Sequence, residues 1–329
     1  MTLRTHTRPG ALRAQGGAAI LTAMLIVTLV ASLSAAALWQ HWRGVEVETA
    51  ERGRLQSSWL LQGAQDWARL ILREDARAGG TDHLGEPWAV ALQETRLSTF
   101  LDPQQSSADL LEEAQDAFLS GQITDQQARL NVMNLVQNGE LHKPSIRTFT
   151  RLFDALQLPD SELLALLQNL RMALAPESNA TSTSTNAVLL PRTLDQLVWL
   201  GLSKPSIDAL RPYITLLPEP TPVNLNTAPA LVLYASIATL ERAQAQSLVN
   251  ARALSHFKNL NDVSKAIGAE NTPLEDSQHS VNSRYFEISG RIRLGTRIVQ
   301  ERSLVQRSGL EVQVLWRDRS VLNTASSLQ

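Results

Sequence analysis

The stretch that decides the fold is GGAAILTAMLIVTLVASLSAAALWQHW, residues 16–42. Between Arg13 and Arg43 there is no Asp, Glu, Lys or Arg. From Ala18 onward the run is mainly Ala, Leu, Ile, Val, Met, Ser and Thr, closing on Trp39 and Trp42. A helix of about 25 residues rises roughly 37 Å, enough to cross a hydrocarbon core about 30 Å thick with some tilt. Arg4, Arg8 and Arg13 precede it, and no acid occurs before Glu46. That excess of arginine predicts a cytoplasmic N-terminus, the tryptophan pair suits the far interface, and everything after Trp42 is expected outside the cytoplasm.

Three readings compete for this segment. A cleaved secretory signal has a short apolar core and a small-residue exit; here the run is longer and passes unbroken into an amphipathic stretch. A plain signal anchor satisfies the hydropathy. The third reading turns on Gly16-Gly17, set between the basic leader and the apolar run. That placement resembles a prepilin-type leader, which is cut after a glycine on the cytoplasmic side. The cut would fall between Gly17 and Ala18. A glycine before an apolar run is a weak signal, and the rest of the chain has to decide.

At 329 residues the chain has room for two modest domains beyond the anchor. A net charge of −2 gives no global attraction to nucleic acid. The absence of cysteine excludes a disulfide framework, a thiolate metal site and a cysteine nucleophile.

Residues 43–80 read as an amphipathic continuation of the same helix. Leu60, Ala64, Trp67 and Ile71 recur at helical spacing, flanked by Trp59 and Leu70, with charges on the other face. No proline interrupts Ala18 to Arg77, and Gly79-Gly80 is the expected stop. Gly85–Trp88 reads as a turn, Pro87–Leu92 as a short strand and 102–109 as an exposed loop. Gly121–Val132 reads as strand, turn and second strand, with Asp125 in the turn. From Leu141 the apolar period becomes helical: Ile146–Leu156, Glu162–Leu174 with Ser161 as N-cap, Thr193–Leu200 and Lys204–Leu210. Residues 176–187 are a polar low-complexity run, and Leu217–Pro222 is a stiff linker. Tyr285–Leu294, Thr296–Gln306 and Leu310–Trp316 revert to period two, with Val312, Val314 and Trp316 on one face. Short connections at Gly295 and Ser308-Gly309 predict an antiparallel meander. One sheet is therefore expected to be split in sequence, with a helical block inserted into it.

Across nearly its whole length the chain resembles the type II secretion minor pseudopilins of the K type (GspK). The likeness rests on the leader ending in Gly17, the apolar helix, G-Q-I-T-D-Q-Q-A-R-L-N at Gly121–Asn131, V-N-L-N-T-A-P at Val223–Pro229 and F-E-I-S-G at Phe286–Gly290. The resemblance implies an α+β, pilin-like fold: a long N-terminal membrane-spanning helix packed on an antiparallel sheet, with a large all-α domain inserted between strands. The expected divisions are a leader at 1–17, a transmembrane helix at 18–42, its amphipathic continuation at 43–80, and pilin-like parts at 81–140 and 281–329. The inserted helical domain takes 141–280, with a helix-hairpin-helix-like module at 223–267. The resemblance also implies no catalytic activity, processing by prepilin peptidase, and assembly at a pseudopilus tip that primes fibre formation for export of folded proteins. Implied partners are minor pseudopilins of the I, J and H types, the major pseudopilin and the inner-membrane assembly platform, with the bulk of the chain periplasmic. Most pilins carry Glu at the fifth mature position, where it meets a neighbour's N-terminal ammonium; here, counting from Ala18, that position is Thr22. A lone carboxylate in hydrocarbon is costly, so a subunit with no neighbour above it does better without one.

Other constellations are weaker. In DNA-binding helix-hairpin-helix modules a glycine-rich turn approaches phosphate; the equivalent turn here, Ala235–Glu241, has no glycine and carries an acid, with Arg242, Arg252 and Lys258 the nearby cations. A membrane-anchored DNA receptor is the alternative reading, and a structural helical fold is favoured over it. The tail arginines (Arg284, Arg291, Arg293, Arg297, Arg302, Arg307, Arg317, Arg319) alternate with apolar residues and acids and read as a solvated strand face. The six histidines are scattered without ligand spacing. Calcium enters by family resemblance; oxygens stand near Glu270, Asn271, Glu275 and Asp276, without EF-hand spacing, and a solvated loop is the simpler account.

Overall fold

The structure, a computed structural model, describes residues 16–99, 117–175, 189–268, 274–295 and 297–323. The first helix, α1, runs Gly16–Ala78. The chain divides into two units, residues 1–58 and 59–329. In the first unit the side chains from Ala18 to Thr49 are exposed, and this helix is long and apolar enough to cross a membrane. Gly79 and Gly80, with φ of +70° and +121°, end the helix in backbone conformations that a side chain would oppose.

In the second unit five strands form one sheet in the order β1 (Leu92–Arg96), β2 (Ala117–Asp125), β3 (Tyr285–Leu294), β4 (Arg297–Ser308) and β5 (Glu311–Asn323). Every neighbouring pair is antiparallel, including β2 against β3, where Gly121 faces Gly290 and Asp125 faces Phe286. The split sheet is thus one sheet, with some 160 residues of other structure between two adjacent strands (about the size of a small domain). Gly295 and Gly309, at φ +56° and +58°, turn the meander.

The last turns of α1 pack on this sheet through Leu61, Gln65, Ala68 and Leu72. Ala68 and Leu72 meet Trp88, Phe286, Ile288, Val305 and Val312, while Leu61 meets Ile292 and Val299. The expected stripe of Leu60, Ala64, Trp67 and Ile71 is therefore one residue out of phase: Leu60, Ala64 and Ile71 lie on its flank and Trp67 is 50% exposed. The cause is Gln65, a polar residue buried because Ser303 Oγ donates to its Oε1 and its amide reaches the Ile288 carbonyl.

Four further expectations are corrected. Pro87–Leu92 is not a strand: Pro87–Ala89 is a 3₁₀ turn and β1 starts at Leu92, because Glu86 accepts the Trp88 indole N–H at 2.7 Å and tucks that ring into the core. The strand, turn and strand expected over Gly121–Val132 are present as β2, a 3₁₀ turn at Gln126–Ala128 and Leu130–Asn131, but this last strand lies outside the five-stranded sheet and pairs in parallel with Ile214–Thr215. The helix expected after Ser161 begins at Asp160 behind Pro159, so Ser161 lies inside its first turn. Trp316 does not share a face with Val312 and Val314: Leu304 pairs with Trp316 and Val305 with Val314, so Leu315 is an extra residue whose bulge reverses the alternation. The stretches at 102–109 and 176–187 fall outside the described residues.

The insert contains α2 (Lys143–Leu156), α3 (Asp160–Ala173), a 3₁₀ helix at Leu194–Leu200, α4 (Lys204–Leu210), α5 (Ala230–Ser236), α6 (Arg242–Leu254) and α7 (Leu260–Ile267). These short helices share one apolar core running from Leu130 to Val281. Leu130, Val132, Met133, Leu135 and Val136 belong to it, so its packing begins ahead of residue 141.

Candidate functional site

The insert leaves the sheet at Asp125 and returns at Ser283-Arg284, and the two crossings are joined by a buried polar network. Asp125 Oδ1 accepts from Gln127 N at 2.8 Å, capping a short 3₁₀ turn. Its Oδ2 accepts from Thr227 Oγ1 at 2.5 Å, Ser283 Oγ at 2.6 Å and Asn224 Nδ2 at 3.1 Å. Burial pushes this carboxyl up to about 6, against the opposite pull of its donors Ser283, Thr227 and Gln127. Asn224 also donates to the Asp82 carbonyl at 3.1 Å and accepts from Asn226 N at 2.9 Å. Gln127 donates to the Pro222 carbonyl at 3.0 Å and accepts from Arg284 N at 2.6 Å. Asn131 binds the Glu219 carbonyl at 2.7 Å and takes Leu217 N at 3.2 Å. The segments Gly121–Asn131 and Val223–Pro229, far apart in sequence, are thus the two halves of one joint.

Arg307 on β4 closes the joint from outside. Its guanidinium binds Asp75 at 2.6 Å, the Asp82 carboxylate, and the Ser283 carbonyl at 2.9 Å. Burial raises the Asp82 carboxyl, and the Arg307 charge opposes that rise. Arg307 is 10% exposed on its side chain, so it is no part of a solvated strand face. Arg319 likewise pairs with Glu301, which is only 1% exposed. Arg302, paired with Asp318 at 3.0 Å in the open, does behave as expected of a solvated face. Asp82, Ser283 and Arg307 carried no signal in the sequence, because each belongs to a segment whose local pattern is ordinary.

Asp75, Asp82 and Glu86 bring carboxylate oxygens within 4.8 Å of one another. They do not suit calcium, which asks for six to eight free oxygens. Arg307 already neutralises Asp75 and Asp82, and Glu86 accepts from His83 N at 2.9 Å and from Trp88. Burial lifts Glu86 to about 7, so it is a poor anion at neutral pH. Glu275 is exposed and takes the Gln278 side chain at 2.9 Å, Asp276 is exposed, and Glu270 and Asn271 lie outside the described residues.

The hairpin between α5 and α6 is closed to phosphate by its own chain. Ile237 and Leu240 are buried, and Glu241 caps the α6 N-terminus in a reciprocal pair with Gln244, placing a carboxylate where an anion would bind. From α2, Arg151 donates to the carbonyls of Tyr234 at 2.7 Å, Leu240 at 2.6 Å and Ala238. Its cation is spent inside the fold. In the apolar unit Gly17 and Ala18 lie in the first turn of α1, and the Thr22 hydroxyl donates to the carbonyls of Ala18 and Ala19 at 3.0 Å. Thr22 thus carries no charge and satisfies its polar group within the helix.

Two family models match, both described as type II secretion system (T2SS) protein K: one over residues 128–219 and one over residues 223–282. The type II secretion system protein K of Pseudomonas aeruginosa is 26% identical over 306 residues, 87% of this chain and 86% of that protein. The protein K of Klebsiella pneumoniae is 25% identical over 329 residues, 92% of this chain and 96% of that one. A chain of the crystal structure of the GspK–GspI–GspJ complex from the enterotoxigenic Escherichia coli type 2 secretion system superposes with a TM-score of 0.63 at 17% identity. That match covers 82% of this chain and 98% of the other, and it carries the fold.

Proposed function

We propose, for a chain that belongs to the type II secretion protein K family and is a minor pseudopilin, a place at the tip of the pseudopilus. There it sits in complex with the I, J and H type minor pseudopilins and primes assembly of the fibre that moves folded proteins outward. The observation that carries this reading is the insert: a whole helical core built between β2 and β3 of a pilin-like sheet. A helical shaft repeats the same contacts at every subunit, and a body of that size between adjacent strands suits a terminal position. Thr22 supports the same place, since a subunit with nothing above it has no ammonium for a carboxylate to meet.

The apolar helix serves as a single-pass anchor. On this reading prepilin peptidase cuts between Gly17 and Ala18, the anchor crosses the inner membrane with its N-terminus cytoplasmic, and the remainder is periplasmic. The major pseudopilin and the assembly platform of the inner membrane are the further partners. Affinity purification of the full-length chain from cells holding an active secretion system, followed by mass spectrometry, tests both halves of the proposal. The expected result is co-purification with the other minor pseudopilins in equal amounts and an N-terminus at Ala18. An intact Met1 terminus, or recovery with an excess of the major pseudopilin on both sides, would overturn it.

A further inference from the structure

His83 lies on the loop of residues 79–86 that follows α1, and His256 lies on the turn between α6 and α7 of the insert. Their rings stack with centroids 3.8 Å apart and planes 9° from parallel. His83 Nδ1 accepts from Gly85 N at 3.1 Å, which fixes the ring and leaves that nitrogen without a proton. The contact lies beside the Asp125 network, which the neighbouring Asp82 enters through Asn224 and Ser283, and it joins the same two bodies.

The groups around the pair come from both sides. On the loop itself are Asp82 and Glu86; Asp75 approaches from α1, and Arg307 from β4 holds Asp75 and Asp82. On the insert side Lys258 is exposed, Asp262 accepts from Lys258 N at 3.1 Å, and Arg252 is turned to the Leu225 carbonyl at 2.7 Å. Burial and the neighbouring His256 hold His83 below its ordinary value, against the pull of Asp75 and Asp82. Among the described residues the two aspartates that act on His83 are already paired with Arg307, which weakens their power to neutralise a second proton on the rings. Glu86 takes up its own proton as the pH falls through about 7.

We propose that the His83–His256 stack is a pH-operated latch between the pilin-like sheet and the helical insert, closed while the stacked pair is uncharged and released when acidification places charge in it. Two neutral rings stack favourably; two imidazolium rings at the same separation repel. The Asp125 joint does not open with the latch, because a proton taken up by this buried carboxyl relieves the cost of burying its charge. Acidification therefore frees residues 83–86 from the α6–α7 turn, while Asp82, held by Asn224, Ser283 and Arg307, and the chain crossings stay fixed, which makes the joint a hinge. The latch is a property of the fold and stands whatever the position of the subunit in a filament.

Hydrogen–deuterium exchange of the full-length protein in detergent micelles, corrected for intrinsic exchange rates, tests this at about pH 7.5 and about pH 5.5. Peptides covering 83–86 and 255–259 are expected to lose protection by about tenfold at the lower pH, while those covering 121–127 keep theirs. His256→Phe retains a stacking ring without a titratable nitrogen, and its protection should be the same at both pH values. His83→Phe should behave identically and serves where the first variant does not fold. Equal protection of the wild-type peptides at the two pH values, or an undiminished response in the phenylalanine variants, would overturn the latch.

Discussion

Ser283 Oγ donates to Asp125 Oδ2 across 2.6 Å, and these two residues mark where the chain returns to the sheet and where it leaves it. A single hydrogen bond thus closes a loop of 158 residues. Fixing so long a loop is entropically unfavourable, and the loss is offset locally by Thr227, Asn224 and Gln127, which converge on the same carboxylate. The outcome is a helical body whose two chain crossings to the pilin-like sheet are closed by one buried network.

Asp125 gives that joint a pH dependence whose sign follows from its raised value, about 6 folded against 3.8 for the free side chain. A carboxyl that holds its proton more tightly when folded contributes stability in full below pH 3.8, and that contribution is lost as the pH rises through about 6. Denaturation of the wild type and of Asp125→Asn, followed by tryptophan fluorescence from about pH 4 to pH 7, isolates this effect. The wild type should lose about 2.5 kcal/mol relative to the variant across that range and then run parallel to it. His83 and His279, both lowered by burial, impose the opposite slope on both proteins and cancel in the difference. A constant gap would show that the carboxyl titrates normally.

Arg151 organises the hairpin, bonding three of its carbonyls with the guanidinium 4.3 Å from the Tyr234 ring centre. Arg151→Ala should cost about 3 kcal/mol, because those partly buried carbonyls lose their donor. Arg151→Lys should recover less than half, since one ammonium cannot reproduce a planar fork. Full recovery with lysine would reduce the role of Arg151 to its charge alone, and urea midpoints of the three chains decide it.

Much of this architecture was legible in the sequence, because the patterns involved are local. The apolar run, the period-two tail and the helical middle each announce themselves within a dozen residues, and their order is enough to imply a sheet split by an insertion. The misreadings came where a polar group is buried. Gln65 is placed in the core by Ser303, a residue 238 positions away, and this shifts the packed face of α1 by one residue. Arg307 looked like one more arginine of a solvated strand until Asp75 and Asp82 closed on it. Asp125 suited a surface turn equally well, and only the fold shows Val223–Pro229 lying over it. Leu315 illustrates the other limit: a one-residue bulge flips a strand face without leaving a mark in composition.

Gly121 and Gly290 face each other across β2 and β3, and they should tolerate substitution unequally. A methyl group on Gly121 meets the Ser289 carbonyl oxygen at 2.9 Å, a backbone atom held by the sheet. On Gly290 the same methyl meets only the tip of Leu61, at 3.3 Å, and that flexible end can yield. Gly121→Ala should therefore destabilise by about 2 kcal/mol and Gly290→Ala by about 0.5 kcal/mol or less. Equal losses in thermal denaturation would mean that the sheet, and not the local clash, sets the cost.

Thr22 offers the most direct test of a terminal position, because its hydroxyl is already satisfied by the carbonyls of Ala18 and Ala19. Thr22→Val removes a group that contacts nothing beyond its own helix and should leave assembly unchanged. Thr22→Glu places a carboxylate in the bilayer at about 2–3 kcal/mol unless a cation lies beside it. At the top of a filament no neighbouring ammonium exists, so the variant should enter the minor pseudopilin complex several-fold less than wild type, read by quantitative co-purification from membranes. Within the shaft, by contrast, the subunit above would supply that ammonium and the glutamate would be neutral or favourable. Wild-type recovery of the Thr22→Glu complex would therefore place a positive partner above this subunit, and its position at the end of the fibre would have to be given up.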